Sequence, residues 1–162
     1  MNFDETDLNI LRLLRNNARI SNKSLAAKTG IAPSTCLGRV RRLERSGVIA
    51  GYHAELNPVA VGVRIQAMVG IRMVRHVRAD VDAFHAHAMA QKETVAVYHV
   101  AGADDFLVHV AARDTEHLRQ IVLYAFTERP EVAHIETRLI FEQARTGGFP
   151  LYTGEEAGSV TG

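Results

Sequence analysis

The spacing of apolar residues changes along the chain, and this change constrains the fold more than any other feature. In the first 45 residues they recur every three or four positions, as at Leu8, Leu11 and Leu14, which predicts amphipathic helices. From Ile65 onward, two segments alternate apolar and polar residues, which predicts half-buried strands. We therefore expect a helical front module followed by a back module built on a sheet.

Capping and turn residues divide the front module into three helices. Asp4 or Thr6 can cap the first helix, and Ser21 can cap the second. A tight turn at Gly30, which can take a positive φ, separates the second helix from a third that starts near Pro33. A first helix followed by two short helices around a glycine turn predicts a helix-turn-helix.

Positive charge is concentrated in this module. Residues 12–45 carry nine basic side chains against Glu44 alone, although the net charge of the whole chain is only +1. The third helix is expected to bury Leu37, Val40 and Leu43, and to carry Cys36 as a small apolar residue near a helix contact. A run of arginines by itself is typical of a solvated helix face, but the three-helix layout favours binding to double-stranded DNA. The predicted DNA-contacting residues are Ser34, Thr35, Gly38, Arg39, Arg41, Arg42 and Arg45.

The back module shows the order βαββαβ, which predicts a ferredoxin-like sandwich of one antiparallel sheet and two helices. The whole chain is thus expected to be of the α+β class. Because the segment from Val95 to Ala101 is apolar on both faces, it is expected to be a central strand. The predicted divisions are a helix-turn-helix domain at 1–47, a strand and linker at 48–63, the sheet domain at 64–145 and a flexible tail at 146–162.

The segment Leu25–Pro58, LAAKTGIAPSTCLGRVRRLERSGVIAGYHAELNP, resembles the DNA-binding half of the Lrp/AsnC (feast/famine) transcription regulators. The βαββαβ module resembles the effector-binding and oligomerisation domain of that family. The resemblance implies a regulator that forms homodimers, assembles further into tetramers, octamers or related rings, and responds to an amino acid. The family's turn motif, Gly-x-(aromatic)-Asp-(aromatic)-Leu, is matched by Gly102-Ala103-Asp104-Asp105-Phe106-Leu107, with Asp104 in place of an aromatic residue.

The turn at residues 102–105 has two interpretations. Glycine and aspartate are common in hairpin turns, so the segment can be a structural turn only. It can also bind an amino acid, with a carboxylate of Asp104 or Asp105 holding the ammonium and backbone N–H groups near Gly102 holding the carboxylate. Asp105 matches the family's aspartate and is the favoured ammonium ligand, and a second carboxylate at Asp104 favours a cationic or polar effector. The predicted effector-binding residues are Val100, Ala101, Gly102, Ala103, Asp104, Asp105 and Phe106.

Other functional classes receive less support. The chain has none of the Gly-x-Ser-x-Gly, phosphate-loop, dinucleotide or His-Glu-x-x-His motifs, so we expect neither an enzyme nor a cofactor. His99 and His109 have matching parity on neighbouring strands and could share a face, but no further metal ligand is evident, so no metal site is predicted. No apolar run or leader sequence points to a membrane, which favours a cytoplasmic protein. The alternative is an oligomeric metabolite sensor whose helix-turn-helix serves protein contacts.

Overall fold

The structure, a computed structural model, describes residues 3–144 and 148–151. Of the tail expected at 146–162, only 148–151 lie within the described residues. The chain forms two compact units, one containing the described residues up to Glu55 together with Ala144 and 148–151, the other spanning Leu56–Gln143. Within the described ranges, no helix combines the length and apolar character that crossing a bilayer requires.

The elements in chain order are α1 (Glu5–Asn16), α2 (Asn22–Thr29), α3 (Pro33–Arg45), a 3₁₀ turn (Val59–Val61), β1 (Ile65–Met73), α4 (Arg78–Ala90), β2 (Thr94–His99), β3 (Phe106–Ala112), α5 (Thr115–Gln120), a π-helical segment (Ile121–Thr127) and β4 (Val132–Ile140).

The first unit contains the predicted helix-turn-helix, and its helices begin and end at the expected residues. The Asp4 carboxylate caps α1 by accepting a hydrogen bond from the Asp7 N–H at 2.8 Å, and the Ser21 hydroxyl accepts from the Ser24 N–H at 3.1 Å. Gly30 ends α2 in the left-handed region, at φ 71°. The three helices enclose a small core made of Ile10, Leu25, Ala26, Cys36 and Leu43.

The buried face of α3 differs from the prediction. Leu37 is 39% exposed, whereas Cys36 is completely buried and its burial raises the pKa of the thiol. The buried stripe therefore runs through Cys36, Val40 and Leu43, at intervals of four and three residues. A strict three-residue spacing drifts around a helix of 3.6 residues per turn, so the 36–40–43 spacing stays closer to one face. Cys36 is thus a small apolar residue of the helix core, as expected, whereas Leu37 is not part of that core.

The strand expected between Val48 and Leu56 is not present, since the structure assigns no strand to these residues. A strand needs a neighbour that satisfies its backbone hydrogen bonds, and apolar composition does not supply one. Residues at the start of the segment instead bond to α3: the N–H groups of Val48 and Ile49 donate to the Leu43 carbonyl, and the Tyr52 hydroxyl donates to the Glu44 carboxylate at 3.0 Å. Burial and the neighbouring Glu44 raise the pKa of Tyr52.

The second unit is the expected βαββαβ module. Its four strands form one antiparallel sheet in the order β2-β3-β1-β4. Alternate residues of β1, including Val69 and Ile71, are fully buried in a core with Phe84 of α4 and Phe126 of the π-helical segment. One face of the sheet is therefore covered by helices. Because strand residues alternate between faces, Met68 and the other even-numbered residues of β1 project from the opposite, open face.

The strand β2 lies at the edge of the sheet, not in its centre as predicted. It pairs only with β3, and Val95 and Tyr98 are each about half exposed, at 49% and 50%. Apolar residues on both faces of a strand indicate burial of both faces, but that burial can come from a neighbouring subunit as well as from the same chain. The central strands are β1 and β3.

The second helix of this unit widens after Gln120 into the π-helical segment, which the sequence did not reveal. Its wider turns leave carbonyl groups for side chains: the Thr127 hydroxyl donates to the Val122 carbonyl at 3.0 Å, and His87 Nε2 donates to the Ala125 carbonyl at 2.7 Å. The bond from His87 joins α4 to this segment, so the two helices are connected over the covered face of the sheet.

Candidate DNA-binding surface and effector turn

The solvent-facing side of α3 carries most of the residues predicted to contact DNA. Ser34, Thr35 and Gly38 are exposed near its N-terminal end, and Arg41 and Arg45 are exposed further along. Small residues near the start of a helix allow close approach to base edges, and arginines beyond them have the reach to contact bases or phosphates. This face therefore has the composition of a recognition helix.

The remaining two arginines of α3, Arg39 and Arg42, are bound to carboxylates of α1 and its cap. Asp7, only 1% exposed, accepts from Arg39 Nη1 through Oδ1 at 2.9 Å and from Arg42 Nη2 through Oδ2 at 2.5 Å. Arg39 also pairs with Asp4 Oδ2 at 2.6 Å. The hydrogen bonds that Arg39 donates to Asp4 and Asp7 raise the pKa of Arg39, while hydrogen bonds from the Asp7 N–H and then from Arg39 lower the pKa of Asp4.

These ion pairs divide the arginines of α3 into two groups. Arg39 and Arg42 connect α3 to α1, and part of their charge is neutralised by Asp7. Arg41 and Arg45 pair with no carboxylate among the described residues, although Arg45 Nε donates to the Arg41 carbonyl at 3.2 Å. Free positive charge on this surface therefore comes from Arg41 and Arg45.

Sequence reasoning did not identify Asp7 as a structural residue. Asp4 and Asp7 are three positions apart and therefore share one side of α1, next to the buried Leu8 and Ile10. That spacing was a usable signal, because a carboxylate beside the apolar stripe of a helix must find a partner when the stripe is buried. The partner could not be named without the packing of α3 on α1.

The turn between β2 and β3 is attached to β1 by Asp105. The Asp105 N–H donates to the Ile71 carbonyl at 2.8 Å, its Oδ2 accepts from the Met73 N–H at 2.7 Å, and its Oδ1 accepts from His76 Nε2 at 2.7 Å. The pairing of β1 with β3 ends at Ile71 and Phe106, so the N–H of Met73, two residues further along β1, is available to the turn. Both oxygens of this carboxylate are thus engaged within the subunit.

Asp104 is also paired. Its Oδ2 accepts from Arg138 Nη1 of β4 at 3.1 Å, and Arg138 Nη2 pairs with Glu136 at 2.5 Å. Hydrogen bonding to Asp104 raises the pKa of Arg138. The pair meets directly over Gly70 of β1, where an added Cβ would lie 2.6 Å from Asp104 Oδ2 and 2.9 Å from Arg138 Nη1. A glycine within a strand often marks a site where another group approaches the backbone closely, so the sequence pointed to Gly70 as such a site.

The other predicted effector residues are divided between surface and core. Ala101, Gly102 and Ala103 are exposed at the turn, and Gly102 has φ 137°, which favours glycine. Val100 is half-buried, and its N–H donates to the Asp105 carbonyl at 2.9 Å. Phe106 is completely buried, with its ring 4.9 Å from that of Phe84, so its role at the turn is to anchor β3 in the core.

His99 and His109 do not share a face, which the matching parity of their positions had left possible. His99 pairs with Phe106 and stacks on its ring at 4.7 Å, whereas His109 pairs with Ala96 and Met68 on the open face. Six residues connect β2 to β3, so odd positions of β2 pair with even positions of β3, and matching parity places side chains on opposite faces. No group of three or more potential metal ligands occurs in the residues that the structure describes.

Comparison with known families agrees with this architecture. Residues 3–50 match the winged helix-turn-helix DNA-binding family, and residues 66–148 match the Lrp/AsnC ligand-binding domain. The chain belongs to the Lrp/AsnC family of transcriptional regulators. It is a transcriptional regulator with an effector-binding domain, and these matches indicate no catalytic family.

Individual relatives cover nearly the whole chain. The HTH-type transcriptional regulator AldR of Mycolicibacterium smegmatis is 46% identical over 149 residues, covering 92% of this chain and 86% of that protein. The leucine-responsive regulatory protein of Haemophilus influenzae is 33% identical over 147 residues, covering 91% and 89%. Among solved structures, a transcriptional regulator of Neisseria meningitidis in complex with L-Met has a TM-score of 0.83 at 25% identity, covering 89% and 93%.

Replacing Asp7 is expected to destabilise the first unit. In Asp7→Asn, Arg42 loses its carboxylate partner, Arg39 keeps only Asp4, and a buried amide must satisfy both of its polar atoms, at a cost of about 1–3 kcal/mol. Chemical unfolding followed by circular dichroism measures this cost. Glu5→Gln, at an exposed carboxylate paired with Arg12, is the matched control and should change stability by less than about 0.5 kcal/mol. Equal stability of the two variants would contradict the role of Asp7.

The contribution of Asp105 to stability should depend on pH. Burial alone raises the pKa of Asp105, but the bonds from Met73 and His76 outweigh it and hold the pKa below its ordinary value of 3.8. A lowered pKa stabilises the fold fully above the ordinary value, and this stabilisation disappears as pH falls through the folded value. Wild type should therefore exceed Asp105→Asn by about 1–3 kcal/mol near pH 7, and by progressively less below about pH 4.

Urea unfolding of both proteins between about pH 7 and pH 3 provides the test. Asp82→Asn serves as the control because Asp82 is 69% exposed and its ion pair with Arg78 spans 3.5 Å. A stability difference between wild type and Asp105→Asn that stays constant over this range would contradict the assignment.

Proposed function

We propose that the protein is a sequence-specific DNA-binding regulator whose activity is modulated by an amino acid bound where subunits meet. The observation that carries the proposal is the exposed face of α3, with small and hydroxyl residues first and the exposed Arg41 and Arg45 beyond them. Membership of a regulator family and the ligand-binding domain of the second unit support it.

The residues of α3 have different roles in this proposal. Ser34, Thr35 and Gly38 lie at the groove and set sequence preference. Arg41 and Arg45 supply phosphate or base contacts. Arg39 and Arg42 remain within the DNA-binding surface, but their bonds to Asp7 make their first role the positioning of α3. Removing them should therefore affect folding as well as affinity.

Arg41→Ala with Arg45→Ala should weaken DNA binding without unfolding the first unit. The affinity for a mixed-sequence duplex, measured by fluorescence anisotropy against salt concentration, should fall. The slope of log K against log salt should decrease by about 0.9 for each phosphate that the variant no longer neutralises. Ser34→Ala should instead alter the sequences recovered by selection from a random pool.

The control for this experiment is Arg78→Ala with Arg119→Ala, which removes the same charge from exposed arginines of the second unit. It should leave both affinity and slope unchanged. Equal reductions in the two double variants would mean that net charge, not α3, determines binding. No binding of the wild type to any duplex at low salt would favour the alternative in which the helix-turn-helix contacts protein.

The assembly that we propose is a two-fold homodimer formed through the open face of the sheet, with further association into tetramers, octamers or related rings. A single helix-turn-helix contacts few base pairs, and a dimer can place two of them about 34–36 Å apart, or a multiple of that. Apolar residues on the open face support this contact. They include Met68, Ala96, Tyr98, Leu107, Ala111 and Ile140.

Leu107→Glu should reduce self-association, because it introduces a charge into the centre of the open face. Light scattering at micromolar concentration should show a dimer or larger species for wild type and a smaller species for the variant. Tyr124→Glu is the control, since Tyr124 is 62% exposed on the π-helical segment and lies outside the open face. A wild-type monomer, or association unaffected in Leu107→Glu, would refute the proposed contact.

The effector site that we propose is the turn from Val100 to Asp105, with Phe106 anchoring the end of the turn in the core. The relative from Neisseria meningitidis was solved in complex with L-Met, which makes an amino acid a reasonable ligand for this chain. Exposed backbone at Gly102 and Ala103 is compatible with binding a carboxylate. In this proposal Asp105 shapes the turn and does not hold the ammonium, since both of its oxygens have partners.

A further inference from the structure

Both carboxylates of the turn from Val100 to Asp105 are paired. Asp105 is occupied by the Met73 N–H and by His76, and Asp104 is occupied by Arg138 over Gly70. A cationic effector side chain would therefore have to displace an existing ion pair. This arrangement reverses the expectation drawn from the sequence, where two adjacent carboxylates favoured a cationic or polar ligand.

The uncommitted groups at the turn are hydrogen-bond donors. Arg72 follows Gly70 by two residues on the same face of β1, is exposed, and donates from Nε to the Ala103 carbonyl at 3.1 Å. No carboxylate lies within ion-pairing distance of Arg72 in the described part of the chain. The backbone N–H groups of Gly102 and Ala103 likewise have no hydrogen-bond acceptor among those residues.

The Arg72 guanidinium is held against the turn by its hydrogen bond to the Ala103 carbonyl. Its terminal nitrogens remain available to donate, and a guanidinium matches the geometry of a carboxylate with two parallel hydrogen bonds. Successive free N–H groups in a turn add to such a site for an anion. Asp104 of the turn and Glu136 share the single cation Arg138, so this cluster keeps a net negative charge, which disfavours a second carboxylate on the same ligand.

We infer that Arg72 anchors the α-carboxylate of an amino-acid effector whose side chain is uncharged. The inference rests on the proposed effector role of the turn and names the class of ligand that the turn takes. Arg72 supplies the charge, and the N–H groups of Gly102 and Ala103 complete the binding of the carboxylate. The pairing of Asp104 with Arg138 occupies a carboxylate that would otherwise select a cationic side chain.

Isothermal titration with chemically matched probes tests this assignment. Wild type is titrated with L-methionine, L-leucine, L-lysine and L-aspartate, and with L-methioninamide and L-leucinamide, which keep the side chain and amine but lack the carboxylate. We expect binding of at least one of L-methionine and L-leucine, roughly tenfold or more weaker binding of the matching amide, and weaker binding of L-lysine and L-aspartate.

The same probes are then titrated into Arg72→Gln, Arg72→Lys and the control Arg78→Gln, which removes an arginine that is 94% exposed on α4. Arg72→Gln should bind roughly tenfold or more weakly, Arg72→Lys should recover part of the affinity, and Arg78→Gln should match wild type. Circular dichroism of each variant verifies that the fold is retained, and Arg72→Lys provides the comparison if Arg72→Gln does not fold.

The outcomes distinguish the effector role of the turn from the role of Arg72 as the carboxylate anchor. If wild type binds none of the amino acids or amides, the proposed effector function fails, and the anchor fails with it. If wild type binds L-methionine or L-leucine but Arg72→Gln binds equally well, or the amide equals the acid, only the anchor is overturned. Stronger binding of L-lysine or L-aspartate than of both neutral amino acids would overturn the ligand class.

Discussion

The alternation of side chains along β1 is the constraint on which most of the second unit depends. On one side, residues such as Val69 and Ile71 are completely buried beneath the helices and fill the core. On the other side, Met68 belongs to the open face, Gly70 leaves space for the Asp104–Arg138 pair, and Arg72 reaches the turn. A shift of one residue in the register of this strand would bury the polar set and expose the apolar one. The core, the open face and the turn are therefore specified together.

The first unit shows why a count of charges does not describe a binding surface. The segment 12–45 has a large excess of positive charge, but Asp7, which precedes it in the chain, neutralises part of that excess from within the fold. A buried carboxylate with two arginine partners is costly to break, since removal of either member leaves a charge without its counterion. The same ion pairs fix how α3 lies on α1, and hence which of its side chains face solvent.

The sequence was sufficient for features that depend on local signals. The helix-turn-helix, its caps at Asp4 and Ser21, and the βαββαβ order all follow from periodicity and capping, and each is present in the structure. The errors arose where a side chain's environment is set by distant residues. Leu37 was assigned to the core but is exposed, because only one of the adjacent apolar positions 36 and 37 can face the core and Cys36 does so. The edge position of β2 could not be derived because apolar residues on both faces of a strand do not indicate whether the same chain or another subunit covers them.

At the turn, the residue types were predictable, but whether their side chains are available to bind a ligand was not. Asp104 and Asp105 are at the expected positions, yet their partners come from β1, from β4 and from His76, between β1 and α4. Because Asp104 and Arg138 meet over Gly70 on the open face, any group that competes for either side chain acts on the same face that we propose as the subunit contact. A ligand changes assembly only to the extent that it binds one assembly more tightly than another. An ion pair shared between a ligand turn and a subunit contact is a direct way to create that difference, since the pair's solvation and partners differ between the free and the associated face.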